Sequence, residues 1–233
     1  MRLLFIVAAA SVFAHQPAAA QVAVSAALES DYRFRGASFS DRRPALTLTL
    51  SYDHPSGAYV GGSAIAADTP RDGVEVLGYI AYAGVVKRLN SDIALDVGVT
   101  NYDLDRYTGD RTVKFNYAEA YVGAVTKNIV VRGYFSPNYI SNGAHTVYLD
   151  VSGVVHPRDK WRLFGHVGMF TPINDEARSF GLRRRYDARV GVAREFTNAQ
   201  VSLSWTTQWP RTVRPGVTPP KRSGLVAGVS YFF

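Results

Sequence analysis

Residues fit for ionic chemistry recur at alternate positions along this chain. Glu29, Asp31, Arg33 and Arg35 take every second place in VAVSAALESDYRFRGASF, residues 22–39. Glu75, Asp96, Glu119, Arg132, Asp150, Asp187 and Arg189 sit in the same way in later segments, with His166 as a titratable member. Acids and bases on one face of an extended chain can line a path that selects and orients solutes. They can equally neutralise one another in a salt-bridge and hydrogen-bond network that fills a barrel. Acid–base catalysis needs a nucleophile, a base and an orienting group. The best such set is His166 with Asp150 and Ser152 on a neighbouring strand, but no local motif accompanies it, and the chain is not read as an enzyme. His15, His54, His145 and His156 are not spaced as metal ligands, and there is no cysteine. No metal site, disulfide or cofactor is therefore expected.

The elements that must carry these residues are strands. In residues 22–39 the opposite phase reads Val22, Val24, Ala26, Leu28, Tyr32 and Phe34, broken only by Ser30. A period of two sends successive side chains to opposite faces. One long strand with a greasy face and a charged face is expected here. The pattern returns in 45–52 (Leu46, Leu48, Leu50 and Tyr52 against Thr47, Thr49 and Ser51) and in 74–87, where Val76, Ile80, Tyr82 and Val86 are assigned to the apolar face. Residues 58–67 form a glycine-rich strand whose phase stays open. Later segments place Asp96 and Thr100, then Tyr117, Glu119 and Tyr121, inward. Arg132 and Tyr134, Tyr148 with Asp150 and Ser152, Phe164 and His166, and Asp187 and Arg189 follow. Ser202, Ser204 and Thr206 continue the inward set, and the last strand spans 224–233. This makes about twelve strands, mostly near the length at which a tilted strand crosses a bilayer.

Composition is compatible with that reading. The chain has 233 residues, 47% hydrophobic and 12% aromatic, with 14 Tyr and 12 Phe. A helical membrane protein would be greasier than a mean hydropathy of −0.06, whereas half of the residues in a barrel strand face a polar lumen. Residues 1–20 have the form of a secretory signal peptide: Arg2, an apolar run from Leu3 to Phe13, and Ala18-Ala19-Ala20 before Gln21. Residues 21–233 are left as a single barrel domain.

Connections are expected to alternate in length. Residues 36–43, 68–73, 103–111, 137–144, 171–185 and 210–223 are the longer set. The shorter set is 53–57, 88–92, 126–128, 156–160 and 195–198. Long loops outside and short turns in the periplasm are the pattern of outer-membrane barrels. The net charge is +7, and many of the bases fall in the longer loops: Arg42, Arg43, Arg71, Arg106, Arg111, Arg178, Arg183 to Arg185, Arg211, Arg214, Lys221 and Arg222. They suit anionic solutes or lipopolysaccharide phosphates better than nucleic acid, because they are spread over several loops. The last strand alternates Leu225, Ala227, Val229, Tyr231 and Phe233 outward and ends on the aromatic, which resembles the signal read by barrel-insertion machinery.

The segment SAALESDYRFRG (25–36), followed by Ser38 and Pro44-Ala45, resembles the TorF-like porin family. So do SGAYVG (56–61), YAEAYVG (117–123), YFSPNY (134–139) and GHVG (165–168). The resemblance covers nearly all of residues 21–233 and implies an outer-membrane barrel and channel, without a substrate.

The expectation is an all-β, antiparallel transmembrane β-barrel in the bacterial outer membrane, acting as a porin-like channel for small, anionic solutes. Its partners are outer-membrane lipids and lipopolysaccharide, the insertion machinery and the solutes. Arg33 and Arg35 are expected to form a positive collar near the extracellular mouth. The alternative is a closed structural or adhesive barrel that binds lipopolysaccharide or another surface through its basic loops.

Overall fold

The computed structural model describes residues 21–69, 73–108, 111–140, 142–210 and 223–233. The signal peptide expected over residues 1–20 lies outside them, as do Arg71, Arg211, Arg214, Lys221 and Arg222. Strands β1 (Gln21–Glu29), β4 (Ala45–Asp53), β5 (Ala58–Thr69), β6 (Gly73–Arg88), β7 (Ala94–Thr108) and β8 (Arg111–Val125) form half of the wall. Strands β9 (Ile129–Ser136), β10 (Thr146–Arg158), β11 (Trp161–Pro172), β12 (Arg185–Glu195), β13 (Ala199–Trp209) and β14 (Gly224–Phe232) form the rest. Each pairs antiparallel with its neighbours in the chain, and β14 returns to β1, so twelve strands close a barrel with no free edge. Closure gives every wall strand a hydrogen-bonded neighbour on both sides, which an environment without water requires.

Alternation sorts the side chains as the pattern implies. Val22, Val24 and Leu28 of β1, Leu46, Leu48 and Leu50 of β4, and Leu225, Val229 and Tyr231 of β14 are exposed on the outside. Ser25, Ala27, Asp96, Thr100, Glu119, Arg132, Asp150 and Asp187 are buried. A contiguous apolar outer surface of this extent is costly in water and suited to hydrocarbon.

Four expectations are corrected. The first strand does not run to Phe39. It ends at Glu29, and Ser30 fastens the exit: its N–H donates to the Ala227 carbonyl (2.9 Å) and its Oγ accepts from the Ala227 N–H (3.0 Å). The chain then turns into the barrel as a small hairpin of β2 (Arg33–Phe34) and β3 (Ala37–Ser38) before rejoining the wall at β4. Tyr32 and Phe34, expected on the outer face, instead pack against the buried core within the barrel.

In β6 the phase reverses. The β5–β6 register shifts between Ile65 and Ala66, with Gly78 at φ 138°, leaving Leu77 as an extra residue. A bulge of this kind swaps the faces beyond it. Tyr79 and Val85 are therefore the exposed residues, and Ile80, Tyr82 and Val86 share the less exposed phase.

The connections expected over 68–73 and 103–111 shrink to 70–72 and 109–110, because the wall strands run on past them. Strands β5 to β8 are 12, 16, 15 and 15 residues long, against 11, 11 and 9 for β12 to β14. The wall is thus tall on one side. Finally, the loop before β12 contains a short helix α1 (Asp175–Ser179), capped by Asn174, whose side chain accepts from the Ala177 N–H.

The core sits at the loop end, inside the barrel. Phe39, Ile65, Leu77, Leu104, Phe115, Tyr139, Phe170, Ala177 and Leu182 are among its members. Wall strands, the inward hairpin and the loops before β10 and β12 all contribute to it.

Candidate functional site

Each expected site residue can now be placed, beginning with the wall. The register carries one row of residues across six strands. Asp187 pairs with Gly168, Gly168 with Asp150, Asp150 with Arg132, Arg132 with Gly123, and Gly123 with Asp96. Arg132 binds Asp96 through Nε and Nη2 at 2.9 and 2.6 Å, with both side chains nearly inaccessible. The Tyr59 hydroxyl donates to the same carboxylate at 2.6 Å and meets the Tyr121 hydroxyl. With the pair buried and its spare lone pairs satisfied in this way, removing one member leaves an uncompensated charge.

His166 lies between two carboxylates. Its Nδ1 is 3.0 Å from Asp150 and its Nε2 is 2.7 Å from Asp187. Ser152 is 3.2 Å from Nδ1 and also donates to Asp150 at 3.1 Å. The set considered for catalysis is therefore brought together, but each ring nitrogen faces a carboxylate. Nδ1 is thus shared between Ser152 and Asp150, and Nε2 between Tyr148 and Asp187. Tyr148 joins this cluster through Asp187 and His166. Arg189 donates to Ser204 at 3.0 Å and lies 3.4 Å from Glu29. Glu75, near the loop end of β6, accepts from the Tyr107 hydroxyl.

The inward hairpin carries the other three expected residues. Asp31 accepts from Arg33 Nε at 2.7 Å, from Ser38 at 2.5 Å and from Ser40 at 3.2 Å. Arg33 also donates to the Gly36 carbonyl at 3.0 Å, tying the hairpin together. Arg35 crosses the lumen to β8, where its guanidinium makes a two-pronged pair with Glu119 at 3.0 and 2.5 Å. The Arg35 Cζ lies 3.9 Å from the centroid of Tyr148, and 5.1, 5.9 and 5.7 Å from Phe34, Tyr102 and Tyr134. Gln208 of β13 donates to the Arg35 carbonyl at 2.9 Å. The hairpin tip thus spans the lumen and is held from opposite walls. The positive collar expected of Arg33 and Arg35 is not formed by wall residues: both guanidiniums belong to the hairpin and are bound to carboxylates.

Two features of the tip explain its sequence. Gly36 has φ +75°, and a Cβ there would come 2.4 Å from the Thr207 carbonyl oxygen and 2.7 Å from Asp187 Cβ. Only glycine fits this turn at this distance. Arg35 itself has φ 47°, a strained conformation that surrounding contacts must hold.

Sequence reasoning placed Tyr121, Tyr134 and Tyr148 inward but missed Tyr59 and the way these rings organise the wall. Tyr148, Tyr134 and Tyr121 follow one another in register, then Gly98 and Gly84, then Tyr59. The rings of Tyr121 and Tyr59 lie over Gly98 and Gly84, where a Cβ would come within 2.6 Å of ring atoms. Inward glycines beside inward tyrosines at the same phase are a readable signal for this arrangement. Arg106 and Arg185, expected in the longer loops, belong instead to β7 and β12, where Arg106 stacks near Phe39 and Phe115 and Arg185 lies 4.3 Å from the Phe170 centroid; missed was Arg162, paired with Glu195 and Gln200.

Against known proteins, the model of a family described as "Bacterial protein of unknown function (Gcw_chp)" matches residues 14–220. No curated protein matches. The fold is similar to the solved structure of the KdgM porin, with TM-score 0.54 and 11% identity over 91% of this chain and 99% of that one. The KdgM porin in complex with disordered oligogalacturonate gives TM-score 0.54 and 12% identity over the same shares. The NanC porin in a rhombohedral crystal form gives 0.58 and 10%, again over 91% and 99%.

Proposed function

We propose for this chain, which belongs to the Gcw_chp family of bacterial proteins, the function of an outer-membrane channel for small polar solutes, as its resemblance to the TorF-like porins implies. The observation that carries this reading is the pairing of an apolar outer face with a polar, charged inner wall on one closed barrel. Lipid accepts the first, and a water-filled path accounts for the second. The likeness in fold to the KdgM and NanC porins supports it. Export through the signal peptide and insertion through the β14 aromatics place the protein in the outer membrane in this reading. Glu29, Glu75, Asp96, Glu119, Arg132, Asp150, His166, Asp187 and Arg189 line the path on the wall, and Asp31, Arg33 and Arg35 line it on the hairpin. With Arg33 and Arg35 bound to carboxylates, they do not act as an anion filter, and the proposal carries no anion preference. The channel is read as passive and not enzymatic: no local motif accompanies the set of His166, Asp150 and Ser152, and the likeness in fold is to porins.

The buried core at the loop end favours a second reading, a closed structural barrel whose basic loops grip lipopolysaccharide. In that case the inner network serves rigidity alone. Planar-bilayer recording on purified protein separates the two. Discrete conductance steps support the channel. Their absence, from protein shown to be folded by heat-modifiable gel mobility, supports the structural barrel. Recovery of the protein from the soluble periplasm rather than the outer membrane refutes both.

A further inference from the structure

Arg35 behaves as a ligand bound inside the barrel. Its guanidinium is gripped by a carboxylate in two-pronged geometry at 3.0 and 2.5 Å, and Glu119 is 1% exposed. It lies almost on the Tyr148 ring and within 6 Å of two further wall tyrosines, Tyr102 and Tyr134. A carboxylate at the base with aromatic faces around it recognises guanidinium and small alkylammonium ions. The occupant comes from an inward hairpin, while every other member of this cage except Phe34 stands on the wall. Tyr117 stacks on Tyr102 at 4.9 Å between centroids, and its buried hydroxyl has no hydrogen-bond partner among the described residues.

We propose that Glu119, Tyr102, Tyr134 and Tyr148 form a binding site for a guanidinium-class cation, and that Arg35 is its internal occupant, holding the hairpin across the lumen. A free guanidinium compound competes with Arg35 for the same carboxylate. That this competition would open a path rests on the channel reading; the existence of the site does not.

The test is chemical rescue. Arg35→Ala removes the side chain beyond Cβ, and the missing fragment is ethylguanidinium. The refolded variant is melted in detergent with ethylguanidinium chloride, and with sodium chloride and urea at equal concentration as controls. At ten times its dissociation constant the probe should raise the melting midpoint of R35A by roughly 3–5 °C. It should leave the wild type, whose site is filled, unmoved, and should fail on R35A combined with Glu119→Gln. No rise above the controls, or an equal rise in the double variant, overturns the proposal. Should R35A not refold, Gly36→Ala, which lifts the hairpin tip with Arg35 intact, exposes the same cage to the probe and is read in the same way. In bilayers, R35A should conduct more than the wild type, and ethylguanidinium should reduce that excess. Stabilisation through Glu119 without conductance in either protein leaves the site standing and the channel reading refuted.

Discussion

Gly36→Ala is the cleanest way to ask whether the inward hairpin closes the lumen. The added methyl acts only there, because Gly36 belongs to no wall strand. Two costs combine. A left-handed backbone at φ +75° disfavours any residue with a Cβ, by about 1–2 kcal/mol. The methyl would also meet the Thr207 carbonyl oxygen at 2.4 Å, Asp187 Cβ at 2.7 Å and Gln208 Cβ at 3.0 Å. These are backbone or near-backbone atoms of β12 and β13 that cannot swing aside, and such overpacking costs a further 1–3 kcal/mol or so. The sum, about 2–5 kcal/mol, shifts the ratio of seated to unseated hairpin by roughly 30-fold to several thousand-fold. The wall keeps all its pairings, so heat-modifiable mobility and outer-membrane yield should match the wild type. Single-channel recording should then show higher conductance or longer openings. A folded variant with unchanged conductance would refute the reasoning, since a tip that tolerates the methyl is not pressed against the far wall.

Two further outcomes follow from other parts of the structure. Arg132→Met leaves Asp96 buried without its cation, and breaking a buried pair costs about 3–5 kcal/mol; urea-induced unfolding should move to lower concentration, and Asp96→Asn added to Arg132→Met should recover part of the loss, a pattern that independent sites would not give. Deleting Tyr231 to Phe233 removes two outward aromatics stacked edge-on at 4.9 Å and the Phe233 N–H bond to Val24 that helps close the β1–β14 seam; assembly should fail and the protein be degraded, and normal outer-membrane levels would show that this end is dispensable.

The wall was legible in the sequence because a bilayer-facing strand imposes a strict period of two. Leu46, Leu48 and Leu50, or Leu225, Val229 and Tyr231, can hardly be read otherwise. The hairpin was not legible, because an extended segment folded into the lumen alternates just as a wall strand does. Tyr32 and Phe34 are apolar whether they face lipid or core. The signs present were Ser30, a polar break in the apolar phase where the chain leaves the wall, and Arg35-Gly36, a turn with positive φ. The reversal in β6 was hidden for a related reason. A bulge adds one residue without changing composition, and Gly78 was its only mark. Which acid meets which base was beyond the sequence altogether, since Arg35 and Glu119 lie 84 residues apart.

The same separations govern how the barrel comes together. The hairpin is anchored to Glu119 on β8, Tyr148 on β10 and Gln208 on β13, the last 173 residues from Arg35. Contacts so distant along the chain are the slowest to form, and the last of them, with Gln208, has no surface to meet until the final third of the wall is in place. Sealing is therefore the terminal event of assembly. On the channel reading, a half-built or freshly closed molecule should leak, and its tightness should mature afterwards. Recording during insertion into a bilayer should show an early burst of current that decays as the hairpin seats, and Gly36→Ala should prolong that burst.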